Sequence, residues 1–283
     1  MKFEWPGAAR AACAVTFDVD AESAVLAIDG RFAQRASTMS HQAYGPKVGV
    51  PRILRILERA DVRATFFVPG FTARRYPDVV RAIAAGGHEV GWHNDLHEAP
   101  HSLSEDEERA IVDRGAEVLE PLTGARPRGY RAPLWELNAR TPALLAAAGF
   151  AYDSSLMDDD VPYRLETDAG TLVELPVHWS LDDWEQYAFL PEPDIGAAIE
   201  PPAKVLELWT AELDAMREEG CLFVGTMHPF LSGRPSRAKV LADFLARVRE
   251  RGDVWLATLG EIAAHAERTI PAAATRRLDL PQL

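Results

Sequence analysis

Three of the chain's eight histidines fall within ten residues of the stretch GHEVGWHNDLHEAP (87–100). His93 and His97 stand four apart at the end of an apolar run. Imidazoles at that spacing share one face of a helical turn, where two ring nitrogens can hold a divalent cation at about 2.0–2.1 Å each. The same H-x-x-x-H also occurs on surface helices that bind nothing, so the pair needs a third ligand from elsewhere. Candidates exist: TFDVD (16–20) carries Asp18 and Asp20, RGYRAP (128–133) carries Arg131, SLDDW (180–184) carries Asp182 and Asp183, and TMHP (226–229) carries His228. Together these types supply metal ligands, a base, a cation to orient it and an acid, the set that metal-assisted hydrolysis needs. Singly, each has an ordinary structural use, as a turn cap, an ion-pair partner or a satisfied core histidine.

The elements that would position them alternate regularly. Short β-rich runs, CAVTFDV (13–19), ATFFVPG (64–70), HEVGWH (88–93), RGYRAP (128–133), FAYDSS (150–155), LVELPVHW (172–179), CLFVGTMH (221–228) and VWLATL (254–259), are separated by segments of helical period. Those segments include 50–60, 76–87, 104–122, 139–150, 202–220 and 235–252. Ser104 followed by Glu107 makes a capping box, and Gly87, Gly149, Gly220 and Gly252 stand where a helix hands over to a strand. Near-continuously apolar strands alternating with helices predict a parallel sheet buried on both faces, and at 283 residues a single α/β barrel. No linker divides the chain, which reads as one catalytic domain over 1–283. Function in such a barrel collects at the C-terminal strand ends, where nearly every predicted strand delivers an ionisable residue. The long loops 19–49, 156–171 and 180–200 are expected on that working face.

Composition narrows the partners. With 30 basic and 43 acidic residues the net charge is −13, so nucleic acid and anionic membranes are repelled. The opening MKFEWPGAARAAC has no apolar stretch of signal-peptide length, and Cys13 and Cys221 each sit in an apolar run outside any C-x-x-C. These features predict a cytoplasmic protein with buried, reduced cysteines.

The motifs TFDVD, HNDLH (93–97), RGYRAP, SLDDW and TMHP, in this order across about residues 10–265, resemble the NodB-homology or polysaccharide deacetylase family. Its members hydrolyse N-acetyl and related amide bonds on a distorted (β/α)7 barrel. The D-V-D spacing, where many members have adjacent aspartates, and the stretches FVPGF, GFAYDSSLM and LVELPVHWSLDDW resemble a cytosolic branch. That branch holds peptidoglycan deacetylase-like proteins, cyclic imidases and, more distantly, allantoinases, some of which work without metal. The resemblance implies Asp20, His93 and His97 as ligands of one divalent ion, Zn²⁺ first, with Co, Mn or Ni also accepted. It implies Asp18 as general base, Arg131 as its orienting partner and His228 as the acid that protonates the leaving nitrogen. Either Asp182 or Asp183 would fix the His228 tautomer: alignment on Ser-Leu-Asp favours Asp182, alignment on Trp184 favours Asp183. The turn Pro133-Leu134-Trp135 would meet the substrate and supply a backbone N–H to the oxyanion from Leu134 or Trp135.

Two substrate classes follow, an N-acetylated sugar and a small cyclic imide or allantoin-like ring. A silent carbohydrate-binding barrel is the rival of another class, disfavoured by the presence of both Asp18 and His228. Among the other candidates, His88 is expected to be structural. His101, His41 and Tyr44 are candidate pocket residues, and Trp135, Trp179, Trp184 and Tyr187 are candidate stacking platforms. A homo-oligomer, tetrameric by resemblance, would use the segment 189–202.

Overall fold

The computed structural model describes residues 3–196 and 198–281. Its centre is β1 (Ala11–Asp18), eight residues buried throughout. Apolar side chains on both faces leave such a strand only one stable place, between two layers. The other parallel strands at the barrel's heart are β2 (Thr65–Val68), β3 (Glu89–Trp92), β4 (Gly129–Tyr130) and β5 (Tyr152–Asp153). Next come β6 (Tyr163–Thr167), β7 (Gly170–Glu174), the small hairpin β8 (Leu190–Pro191) with β9 (Asp194–Ile195), then β10 (Leu222–Met227), β11 (Val254–Leu256) and β12 (Thr275–Arg276). The main sheet runs β10-β1-β2-β3-β4-β5-β7-β6-β12. Along one edge β1 pairs with β10 from Ala12 to Phe17; its other edge takes β11 first and β2 afterwards.

All eight strands expected from the sequence are present, and the α/β class holds. The barrel's distortion is an opening. Among the described residues no ladder joins β7 to β10, and one parallel bridge, Asp182 to Thr226, spans the gap. The six expected helices also form, at Val50–Ala60, Pro77–Ala85, Glu105–Thr123, Thr141–Ala147, Pro202–Glu219 and Pro235–Arg251. Ser104 and Glu107 close the predicted capping box. Gly220 ends its helix at φ 88°, a left-handed backbone that a side chain would strain.

Three loop expectations are corrected. Segment 19–49 is largely helical, with Ser23–Ile28, Ala36–Tyr44 and a π-turn at Gly45–Gly49. Its pieces are too short to show a 3.6-residue apolar stripe, which is why it reads as loop. Gly49 packs against the turn after β10, where a Cβ would fall 2.1 Å from the Pro229 carbonyl oxygen. Segment 156–171 contains β6, antiparallel to β7, so the Thr167–Gly170 turn lies on the rim opposite the other strand ends. Segment 180–200 carries the helix Trp184–Tyr187 and the β8–β9 hairpin; residue 197 of the expected interface segment lies outside the described residues.

The core joins sheet and helices through Phe17, Phe66, Trp92, Trp209, Phe223 and Phe244, all buried, with Phe17 stacked on Phe66 at 4.8 Å. Burying each such ring contributes about 1.5–3 kcal/mol. Cys13 and Cys221 are free and buried. Among the described residues no helix is long and apolar enough to cross a membrane.

Candidate active site

Parallel register makes the strand ends flush. Phe17 aligns with Met227, Trp92 with Tyr130, and Tyr130 with Asp153. The next residues, Asp18, His228, His93, Arg131 and Ser154, therefore emerge together at the C-terminal rim.

At the centre lies Asp20, 1% exposed, with both carboxylate oxygens buried and unpartnered by any hydrogen-bond donor. Such a group is costly to bury unless something positive meets it. His93 Nε2 faces one oxygen at 3.5 Å and His97 Nε2 faces the other at 3.6 Å. The His93 Nδ1–H donates to the Arg131 carbonyl at 2.7 Å, which fixes the tautomer and leaves the Nε2 lone pair directed at the cluster. Burial pulls His97 down to about 4, so at neutral pH its ring is uncharged and able to ligate. For Asp20, burial opposes ionisation, but His97, His228, His93 and Arg131 overcome it and hold the group below the usual carboxylate range. A carboxylate and two imidazole nitrogens form a donor set suited to a divalent cation with a position left open.

The helical turn expected from H-x-x-x-H is absent. Residues 93–99 are irregular, and Asn94 (φ 57°) and His97 (φ 64°) are left-handed. This compact turn brings the two rings to 5.0 Å, and the Asn94 side chain braces it by donating to the Glu98 carbonyl at 2.7 Å. The left-handed region suits Asn, whose presence at 94 is the one local signal of the turn.

Asp18 stands beside this cluster, 3% exposed, its Oδ1 accepting from Arg131 Nη1 at 2.9 Å. Arg131 is fully buried and fully engaged: it also donates to Thr16 Oγ1, to the Ser154 carbonyl and to Ser154 Oγ, and lies 4.4 Å over the Phe67 ring. Thr16 opens TFDVD and Ser154 lies in FAYDSS, but neither is ionisable and neither was picked out from the sequence.

Across the pocket, His228 Nε2 comes within 3.6 Å of Asp20. The choice left open between Asp182 and Asp183 is resolved by distance. His228 Nδ1–H donates to Asp183 Oδ1 at 2.8 Å, whereas Asp182 Oδ1 lies at 3.5 Å and accepts instead from the Trp184 backbone N–H. Asp183 is held further by the His228 backbone N–H and the Ser232 hydroxyl. Burial alone would pull His228 down; the Asp182 charge, together with the Asp183 hydrogen bond and charge, outweighs it and pushes the imidazole up to about 10. Burial pushes Asp182 up to about 7.

These groups meet in a pocket of about 140 Å³ lined by Asp18, Asp20, His93, His97, Asp182 and His228 on its floor, with Leu134, Trp135, Trp179, Trp184 and Glu185 around its mouth. Trp135 stacks on Trp179 at 4.5 Å, and Trp179 is 45% exposed, presenting a flat aromatic face to solvent. Arg131, Pro133 and Asp183 lie behind this wall rather than in it. The Trp135 N–H donates to the Ala132 carbonyl at 3.0 Å, and Leu134 and Trp135 are both left-handed.

Other candidates fall elsewhere. His41 packs edge-on against Phe230, and the Tyr44 hydroxyl accepts from Arg52; neither lines the pocket. His101 sits in an exposed 3-10 turn, and His88 accepts from the Ala64 N–H as a structural residue. Tyr187 is buried beneath Arg237 and cannot stack on a ligand. Glu185, the residue after SLDDW, was missed. A larger crevice of about 470 Å³ on the opposite rim includes Glu89, but that carboxylate is already bonded to Thr65, Tyr152 and Gly260.

Comparison with known proteins gives an independent view. The family model described as polysaccharide deacetylase matches residues 43–152. The chain is 53% identical to a putative polysaccharide deacetylase from Mycobacterium smegmatis, covering 100% of this chain and 98% of that one with a TM-score of 0.96. A peptidoglycan deacetylase from Helicobacter pylori is 29% identical, over 80% of this chain and 86% of its own. The structure also overlays an allantoinase with a TM-score of 0.82 at 26% identity, over 94% of both chains.

Proposed function

The chain belongs to the polysaccharide deacetylase family, and from that premise we propose that it is a metal-dependent hydrolase of non-peptide amide bonds that removes an acyl group such as N-acetyl from a sugar. The observation that carries the reading is the buried, unpartnered carboxylate of Asp20 between His93 and His97, with Asp18–Arg131 on one side and His228–Asp183 on the other. Asp20, His93 and His97 would hold one divalent ion, zinc first. When bound there, the ion supplies charge that lowers a water's pKa toward about 7 and polarises the acyl carbonyl.

The chain's own groups do the rest. Asp18 takes a proton from the attacking water, and Arg131, donating to Oδ1, keeps its carboxylate aimed. As the C–O bond forms, the Leu134 N–H receives the developing oxyanion, a donor of a kind worth roughly 10²–10³ in rate. His228 Nε2 then delivers its proton to the nitrogen as the C–N bond breaks, giving a carboxylate and an amine. Asp183, accepting from Nδ1–H, orients the ring with Nε2 toward the pocket and stabilises the imidazolium that gives up that proton. Trp135 and Trp179 offer a face for a sugar ring.

A second reading is a cyclic imide or allantoin-like ring opened by the same groups. It is favoured by the pocket's volume of about 140 Å³, which suits one small ring, and by the overlay on an allantoinase. The proposal extends to one catalytic domain with its core at about 10–265, and to a cytoplasmic setting supported by two free, buried cysteines. It also includes assembly into a homo-oligomer, tetrameric by resemblance.

Purified protein assayed on N-acetylglucosamine oligomers and on succinimide or hydantoin rings, with elemental analysis in parallel, tests the reading. Metal with deacetylation supports the first form and metal with ring opening the second. Activity indifferent to chelators, in protein free of metal, overturns the ligand assignment.

A further inference from the structure

Behind the Arg131 guanidinium the sheet buries two carboxyls that the chemistry above does not use. Asp153 ends β5, Glu174 ends β7, and the parallel register sets them side by side, both 0% exposed. Each spends one oxygen on an ordinary donor. Asp153 Oδ1 accepts from the Ser155 hydroxyl at 2.8 Å, and Glu174 Oε1 accepts from the backbone N–H of Ser155 at 3.1 Å and of Leu156 at 3.0 Å. The remaining oxygens, Asp153 Oδ2 and Glu174 Oε2, are buried and meet no donor from any other residue. Among the described residues no Lys, Arg or His side chain donates a hydrogen bond to either carboxyl. The charged and titratable groups around them are Arg131, Tyr130, Tyr152 and, from β6, Tyr163.

Two ionised carboxylates so placed would repel each other in a medium that screens poorly. Two orphan acceptors on register-paired residues become a hydrogen bond once a single proton lies between them. We propose that Asp153 and Glu174 share one proton, carried by Glu174 and donated to an ionised Asp153, and that the pair positions the Arg131–Leu134 turn through Ser155. The link is short. The Ser155 hydroxyl donates to Asp153 and accepts the Ala132 N–H at 2.9 Å, and Ala132 lies between Arg131 and the turn that offers the Leu134 N–H. Ser154, one residue earlier, takes two of the Arg131 hydrogen bonds. Burial pushes Glu174 well above the usual carboxylate range and Asp153 up to about 6, which puts the proton on Glu174 at neutral pH. With both groups ionised the ends of β5 and β7 would be driven apart; with both protonated the Ser155 hydroxyl would lose its charged acceptor.

The activity arm of the test rests on the hydrolase reading; the spectroscopic arm does not. Infrared difference spectra of the whole protein at neutral pH should show a protonated-carboxyl C=O band that Glu174→Gln removes and Asp182→Asn leaves. Glu174→Gln, whose amide donates to Asp153 as the acid does, should keep kcat close to wild type. Glu174→Ala should lower kcat about 10–100-fold with KM little changed, as loss of an outer-shell support does. Ser155→Ala cuts the link while sparing the pair, so it should lower kcat and keep the band, and it carries the activity arm should Glu174→Ala fail to fold. A spectrum without a Glu174-dependent band overturns the shared proton. Wild-type kcat in Ser155→Ala, or equal damage from Gln and Ala at 174, overturns the positioning role. Wild-type protein inactive on every substrate tried counts against the hydrolase reading and leaves the infrared result standing.

Discussion

Replacing Arg131 by Met tests whether the buried ion pair is built as described. Met keeps an unbranched apolar stem over Phe67 but removes the charge and four hydrogen bonds, those to Asp18, Thr16 and twice to Ser154. It strands Asp18, which is only 3% exposed, with no cation in contact. Removing one partner of a buried pair typically costs about 3–5 kcal/mol, most of it the penalty of the abandoned charge. At about 2–4 °C per kcal/mol for a protein approaching this size, the midpoint should fall by about 10 °C. The double variant Asp18→Asn/Arg131→Met removes the stranded charge and should regain part of that loss, a coupling of about 1–3 kcal/mol. Urea denaturation of metal-free wild type, the two single variants and the double variant measures all four corners. A Met variant within about 1 kcal/mol of wild type, or a double variant equal to the sum of the singles, would refute the reasoning.

Other expectations can be checked more briefly. His228 is pushed above its ordinary 6.5 to about 10, so the stability it contributes is complete below 6.5 and is lost as pH rises through about 10. If its protonated form is the acid, kcat/KM should fall along the same alkaline limb, and Asp182→Asn, which removes the largest raising influence, should move that limb to lower pH; an unmoved limb counts against the assignment. His93→Ala and His97→Ala should each reduce bound metal from about one equivalent to a small fraction after dialysis, measured by elemental analysis, whereas retention of full metal would place the ligands elsewhere. Trp179→Ala removes the exposed half of the Trp135 stack and should raise KM about 2–10-fold with kcat nearly constant, as loss of about 0.5–1.5 kcal/mol of uniform binding requires.

What the sequence made legible follows from what its patterns encode. Period-two and near-continuous apolar runs locate β1 and β10, and strand ends then gather Asp18, His93, Arg131 and His228 onto one rim without any knowledge of contacts. Geometry that depends on partners was not legible. The His93–His97 turn depends on left-handed backbone at Asn94 and at His97 itself, which spacing four apart cannot distinguish from a helical turn. The choice between Asp182 and Asp183 turns on 0.7 Å of difference, 3.5 against 2.8 Å, set by how the chain crosses from β7 to β10. Tyr187 and Trp179 looked equivalent as aromatics near the rim, yet one lies beneath Arg237 and the other faces solvent. Asp153 and Glu174 were invisible because their meaning comes from register between strands, not from either residue's neighbours in sequence.

Among the described residues the one bridge between Asp182 and Thr226 divides the site into unequal halves. Asp18 ends a strand laddered on both edges, and the turn carrying Asp20 is pinned where the Asp20 carbonyl accepts from the Thr72 hydroxyl. Asp182 and Asp183 lie on a crossing segment that has no ladder to β10 and meets it through that bridge and the hydrogen bonds of Asp183 to Thr226, His228 and Ser232. Amide hydrogen exchange should therefore be slowest in Ala12–Phe17 and faster across 177–182, giving the pocket a fixed jaw on β1 and a sprung jaw on the crossing. Substrates of different girth would then be accommodated by yielding of the sprung jaw alone, and a family built on this plan could change its clientele by altering that crossing while leaving β1 untouched.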